Sequence, residues 1–126
     1  MPKALDGSTI VAISTAPGAG GIAVVRVSGP QALDFSSALF SKTLTRESDR
    51  KVVFGRILSE FEPRETIDEA LALVMCGPGS YTGEDTVELN IHGSKFIQAE
   101  VLRLLVIAGC RLAGPGEFTQ RAFLNG

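Results

Sequence analysis

Residues 69–92 read EALALVMCGPGSYTGEDTVELNIH, and the fold turns on how Glu69–Cys76 is taken. By periodicity alone EALALVMC serves as helix or strand, and its Ala and Leu residues favour a helix. Context decides for a strand. The segment is short, stops at Gly77-Pro78-Gly79, and is followed by Thr86–His92, in which Val87, Leu89 and Ile91 alternate with Glu88 and Asn90. The two segments are expected to lie side by side as antiparallel strands.

Working outward, Thr9–Ser14 (TIVAIS) and Ile22–Ser28 (IAVVRVS) are β-branched runs separated by the turn cluster Pro17-Gly18-Ala19-Gly20-Gly21. Between Gly29 and Phe40 the spacing of Ala32, Leu33, Phe35, Ala38 and Leu39 predicts a short helix, with Pro30 suited to its first position. Ser41–Arg50 is polar and mixed in charge, so it reads as a surface connection tolerant of change, and Val52–Ser59 resumes a strand pattern. In Lys95–Ala108, Ile97, Val101, Leu104, Leu105 and Ala108 fall on one helical face, and Gly109 is placed to end that helix. Cys110–Ala113 is a brief apolar segment. Pro115-Gly116-Glu117 then opens a helix that is still running at Gly126, the pattern expected of a chain that continues in the natural protein. Helices interspersed among strands give an α+β class: a mixed β-sheet with flanking helices.

The chain of 126 residues fits one domain. With 44% hydrophobic and 21% charged residues it is excluded from the disordered, collagenous and disulfide-rich classes. A net charge of −2 with no basic cluster argues against autonomous nucleic-acid binding. Cys76 and Cys110 lie far apart among apolar neighbours, and with His92 as the one histidine no metal-ligand spacing exists, so both thiols are expected to be reduced core residues. Met1–Asp6 lacks a basic start followed by an apolar run, and no stretch approaches the roughly 20 apolar residues that span a bilayer. A cytoplasmic location without membrane association is expected.

Several segments could carry chemistry. Gly18, Gly20 and Ala23 satisfy a loose dinucleotide fingerprint, but that motif must open a helix, and Ile22–Val27 is strand-like. A P-loop is also missing, so this chain by itself is not expected to hydrolyse GTP. The loop is left with two readings: a flexible backbone that approaches a flat ligand or partner subunit, or a plain connection. Arg26 sits in an apolar strand, where the bland reading points it to solvent. The composition of Gly77–Asp85 suits a binding loop. Glu88 shares a face with Asn90, a solvated face on the bland reading; a carboxylate there could also accept paired hydrogen bonds from adjacent N–H donors, as amino-pyrimidinone rings carry. His92, with Gly93 and Ser94, lies where backbone N–H groups can hold an anion, although a lone histidine is more often structural. No Ser-His-Asp arrangement can be proposed, and no catalytic residue is assigned. Residue chemistry thus reaches a small-ligand-binding α+β domain.

Three blocks go further. Residues 9–29 (TIVAISTAPGAGGIAVVRVSG), 77–93 (GPGSYTGEDTVELNIHG) and 114–126 (GPGEFTQRAFLNG) resemble, in order and over about half the chain, the signature blocks of the amino-terminal domain of the MnmE (TrmE) family of tRNA-modification GTPases. The resemblance implies a folate-binding and dimerisation domain over residues 1–117, with 118–126 starting the next helical segment. It implies a fold akin to the tetrahydrofolate-binding domain of aminomethyltransferases, 5-formyl-tetrahydrofolate as one-carbon donor, and a constitutive homodimer. In the intact family protein it implies a GTPase using GTP, K+ and Mg2+, and joint action with an FAD-containing partner, GidA/MnmG, on C5 of the wobble uridine of tRNA. Carried over by position, Arg26 and Glu88 become the folate contacts. A third contact in the family pattern is a basic residue one position beyond Gly126. Ala16 stands where the family usually has proline, and Ser94 where it has a second glycine. The competing expectations are a dimerisation scaffold that binds folate weakly, and a stand-alone folate-dependent one-carbon transferase.

Overall fold

The computed structural model describes residues 6–16 and 18–126; Pro17, in the first glycine-rich turn, and the first five residues of the expected 1–117 domain lie outside that range. Six strands form one sheet in the order β3-β4-β5-β2-β1-β6: β1 (Ile10–Ile13), β2 (Ile22–Ser28), β3 (Val52–Leu58), β4 (Thr66–Met75), β5 (Thr86–His92) and β6 (Arg111–Leu112). Neighbours pair antiparallel except β1 and β6, which run parallel, so the sheet is mixed as expected. The helices are α1 (Ala32–Ala38), α2 (Lys95–Ala108) and α3 (Glu117–Leu124).

The ambiguous EALALVMC segment is indeed a strand. Its Ala72 and Val74 are fully buried and lie opposite Leu89 and Val87 of β5, so pairing on both edges overrides the helical preference of Ala and Leu. Pleating divides the sheet into two unlike faces. Val11, Val25, Val27, Ala72 and Leu89 form the covered face, under α1 and α2. From α2 come Val101, Leu104 and Leu105, each contributing about 1.5–3 kcal/mol by burial. Ser94 caps α2 by accepting from the Ile97 amide, and Gly109 ends it at φ 134°, the stop expected of it.

Two expectations are corrected, and a third is sharpened. Helix α1 starts at Ala32 with Gln31 as its N-cap, so Pro30 precedes the helix; the Gln31 amide is taken by Thr9 Oγ1 instead. Ser41–Arg50 lies mostly at the surface, as expected, but it is firmly anchored. It buries Leu44, contains a 3-10 turn at Arg46–Ser48, and anchors β4 and the following loop through Asp49, which accepts from the Cys76 amide, and Arg46, which pairs with Asp85. Helix α3 ends at Leu124, where the Asn125 amide bonds back to the Arg121 carbonyl. Cys76 and Cys110 are buried free thiols, as expected. Among the described residues no helix is long and apolar enough to cross a membrane.

Candidate ligand site on the open sheet face

Among the described residues no helix lies over the centre of the other sheet face, where the β2–β5 register places Arg26 directly opposite Glu88. Arg26 Nε donates to the Glu88 carboxylate oxygen Oε2 at 2.8 Å, and Nη2 lies 2.8 Å from the same oxygen. The two side chains are 27% and 25% exposed, so the pair is half-buried and reachable. Arg26 therefore does not simply point to solvent, and Glu88 is not merely a solvated residue. Among the described residues the second oxygen of Glu88 is not engaged, which leaves an acceptor edge open. The guanidinium carbon sits 5.7 Å from the Tyr81 ring centre and 5.6 Å from that of Phe118, within cation–π range of both. A carboxylate, a guanidinium and two aromatic rings thus converge from β2, β5, the Gly77–Asp85 loop and α3.

The loop holding Tyr81 is built, not slack. Its Thr82 is fully buried and shares hydrogen bonds with Ser28 Oγ (2.7 Å) and Thr86 Oγ1 (3.3 Å). Asp85 accepts from the Gly77 amide at 2.9 Å and closes the loop at its base. Glycine is required at residue 77, because a Cβ there would meet the Gly83 carbonyl oxygen at 2.4 Å. Glu84 turns inward, accepting from Ser28 Oγ (3.0 Å) and from Arg121 (3.0 and 3.2 Å).

Arg121 lies at the centre of a buried polar cluster. It is fully buried and also donates to the Ser8 carbonyl (2.8 Å), the Ser8 hydroxyl (3.1 Å) and Glu117 (3.4 Å). Arg111 reaches Glu117 with two bonds at 3.0 and 2.5 Å. Those bonds, with help from the Gly114 amide, hold the Glu117 carboxyl below the usual range against the opposing effect of burial.

His92 stands apart from this cluster at the end of β5. Asp68 accepts from its backbone amide (2.8 Å) and contacts its ring Nδ1 (2.6 Å), so the strand end has a side-chain anchor. The ring stays 72% exposed beside a cavity of about 240 Å3 lined by Ile22, Phe54, Leu71 and Asn90. The first glycine-rich loop is fastened to the same strand end: the Gly20 amide donates to the Gly93 carbonyl (3.1 Å), and the Gly93 amide donates to the Gly21 carbonyl (3.2 Å). Because β2 follows it directly, no helix opens there, in keeping with the rejection of a dinucleotide fold.

Sequence reasoning singled out Arg26 and Glu88 but not their pairing, and it gave no individual role to Tyr81, Phe118 or Arg121, which the structure places beside them or beside the loop. The one available signal was Glu117 and Arg121 at i and i+4, a spacing that brings opposite charges together on a helix.

The chain is 50% identical to the tRNA modification GTPase MnmE of Parabacteroides distasonis over 124 residues, which cover 94% of this chain and 26% of that protein. It is 44% identical to the protein of that name from Flavobacterium johnsoniae over 126 residues (97% and 26%). For the one from Lactiplantibacillus plantarum the identity is 43% over 127 residues (100% and 27%). The chain thus spans about a quarter of the length of these relatives. The family model for the N-terminus of the GTP-binding protein TrmE matches residues 9–126, a stretch that takes in all six strands, the Arg26–Glu88 pair and Arg121 with its Glu84 and Glu117 partners, and the chain belongs to that family.

Proposed function

We propose that this domain binds 5-formyl-tetrahydrofolate on its open sheet face, as the one-carbon donor for modification of the wobble uridine of tRNA. The observation that carries the reading is the Arg26–Glu88 pair flanked by Tyr81 and Phe118. The free Glu88 oxygen is an acceptor for the adjacent N–H donors of a pterin edge, and the rings supply flat apolar surface for a planar ligand. These residues fit the cofactor chemically. When bound, the folate supplies the one-carbon unit; Glu88 orients its pterin and Arg26 holds the Glu88 side chain in place. No group in the site is assigned a catalytic step.

The fold is read as akin to the tetrahydrofolate-binding domain of aminomethyltransferases, and the domain as the seat of a homodimer. Val52, Phe54 and Ile22 are 63%, 66% and 67% exposed on the open face, an apolar surface that a second copy of the chain would cover. GTP hydrolysis with K+ and Mg2+, the FAD-containing GidA/MnmG partner, tRNA contact and a cytoplasmic setting belong, on this reading, to the intact protein. Calorimetric titration of the chain with 5-formyl-tetrahydrofolate, beside an Arg26→Ala variant, tests the proposal. Binding that disappears in the variant supports it; binding that survives unchanged removes Arg26 from the site, and no heat with either leaves dimerisation as the domain's role.

A further inference from the structure

Helix α3 does more than follow the domain. We propose that it is the part that holds the binding loop in its working shape, with Arg121 as the positioning residue. Four contacts from one side of α3 and its C-cap run to the Gly77–Asp85 loop or to the Arg26 side chain. The Thr119 hydroxyl meets the Tyr81 hydroxyl at 3.2 Å, and the Asn125 amide group donates to the Thr82 carbonyl at 3.0 Å. Arg121 binds both oxygens of Glu84, whose Oε1 also accepts from Ser28 on β2. Phe118 lies against Arg26.

The cost of this arrangement is the argument for it. A fully buried guanidinium is expensive unless it is paired and hydrogen-bonded, and among the described residues the Arg121 Nε atom has no partner. Packing alone would be served better by an apolar residue. What the arginine does, and an apolar residue cannot, is tie three separate stretches to one rigid plane: Ser8, the Glu84 loop and the first turn of α3 at Glu117. The bond from the Gly77 amide to the Asp85 carboxylate fixes the loop's base, whereas Tyr81 and Thr82 at its tip are fixed in part from α3. Displacing α3 therefore moves Tyr81 and Phe118 away from Arg26 together, and the site opens or closes as α3 undocks or docks. The consequence for ligand affinity rests on the folate reading above; the control of the loop by α3 does not.

Because the chain has one tyrosine and no tryptophan, Tyr81 is its only strong intrinsic fluorophore and reports on the loop directly. The experiment compares the chain with Arg121→Gln, Arg121→Lys and the double variant Thr119→Val with Asn125→Ala, all without ligand. It reads Tyr81 fluorescence anisotropy and amide hydrogen exchange of residues 79–85, with exchange in β2 and β5 as the internal reference. The double variant alters only exposed side chains, so it keeps its melting transition, while exchange at the loop tip rises about tenfold and Tyr81 anisotropy falls. Arg121→Gln gives the same loop signature more strongly, and Arg121→Lys, which keeps the charge but not the planar fork, does not restore it. Unchanged loop exchange and anisotropy in the double variant overturn the proposal, even if Arg121→Gln fails to fold. Titration with 5-formyl-tetrahydrofolate then separates the two ideas: a loop that loosens in a chain whose unmodified form takes no folate refutes the ligand and leaves the role of α3 standing.

Discussion

Replacing Glu88 with alanine separates what this carboxylate does for the fold from what it does for a ligand. Arg26 Nε donates to one oxygen of Glu88 with Nη2 close to the same atom, and the pair is about a quarter exposed. Solvent screening limits its contribution to folding to about 1 kcal/mol, or roughly 4 °C in melting temperature for a domain of this size. The backbone ladder to Arg26 and Leu73 is untouched by the substitution, so the sheet should persist. The ligand loses more. A carboxylate accepting two N–H donors makes charge-assisted bonds of about 1.5–3 kcal/mol each, so their loss lowers affinity by a factor of more than ~100. Thermal unfolding by circular dichroism and calorimetric titration with 5-formyl-tetrahydrofolate, run on the same preparation, give the two numbers. A loss of several kcal/mol in stability would show that Glu88 is chiefly structural. Undiminished folate affinity in a folded variant would refute its role as the pterin acceptor.

Other outcomes follow from the same geometry. In Gly93→Ala the new Cβ would stand 2.2 Å from the Gly20 carbonyl oxygen, a backbone atom, so the first glycine-rich loop must detach; denaturant unfolding should show a loss of about 1–3 kcal/mol, with faster exchange at the Gly20 amide. Burial pushes the Cys110 thiol up to about 12 and raises that of Cys76, so neither should react with a thiol reagent at pH 8 until the chain is unfolded; rapid labelling of the native chain would contradict their placement. Glu117 has a folded-state pKa below its ordinary 4.5 because Arg111 donates to it, so its stabilisation is complete above that ordinary value and is lost as pH falls through the lowered one. Glu117→Gln should therefore flatten the acid limb of the stability curve below about pH 4.5 and leave the slope near neutrality unchanged. Phe54→Lys places a charge on the exposed face of β3, so if the proposed homodimer forms through the open face, sedimentation should show self-association in the unmodified chain that weakens in the variant; association unaffected by the variant would move the interface elsewhere.

Much of the architecture was legible because periodicity is a local property. The alternation in Thr86–His92 and the helical spacing in Lys95–Ala108 emerged as β5 and α2 at the expected residues, and Gly109 ended the helix because only a positive φ closes it there. Composition alone fell short where neighbours decide, and for EALALVMC it was the flanking turn and the alternating strand after it that gave the strand. EALALVMC has a helical composition and became a strand because it is paired on both edges, and β6 is too short to announce itself without β1 beside it. Polar composition made Ser41–Arg50 look free, yet Arg46 and Asp49 tie it to the next loop.

The sequence by itself determined the α+β class, most of the strands and helices, the family, and the identity of Arg26 and Glu88 as residues to watch. Only the tertiary structure decided that those two, 62 positions apart, form one ion pair, that Tyr81 and Phe118 flank it, and that a buried Arg121 fastens α3 to the loop beside it. The physical reason is that a pleat assigns a side chain to one of two faces from its neighbours in sequence, whereas its partner across the sheet is set by strand order and register, which are properties of the whole packed domain.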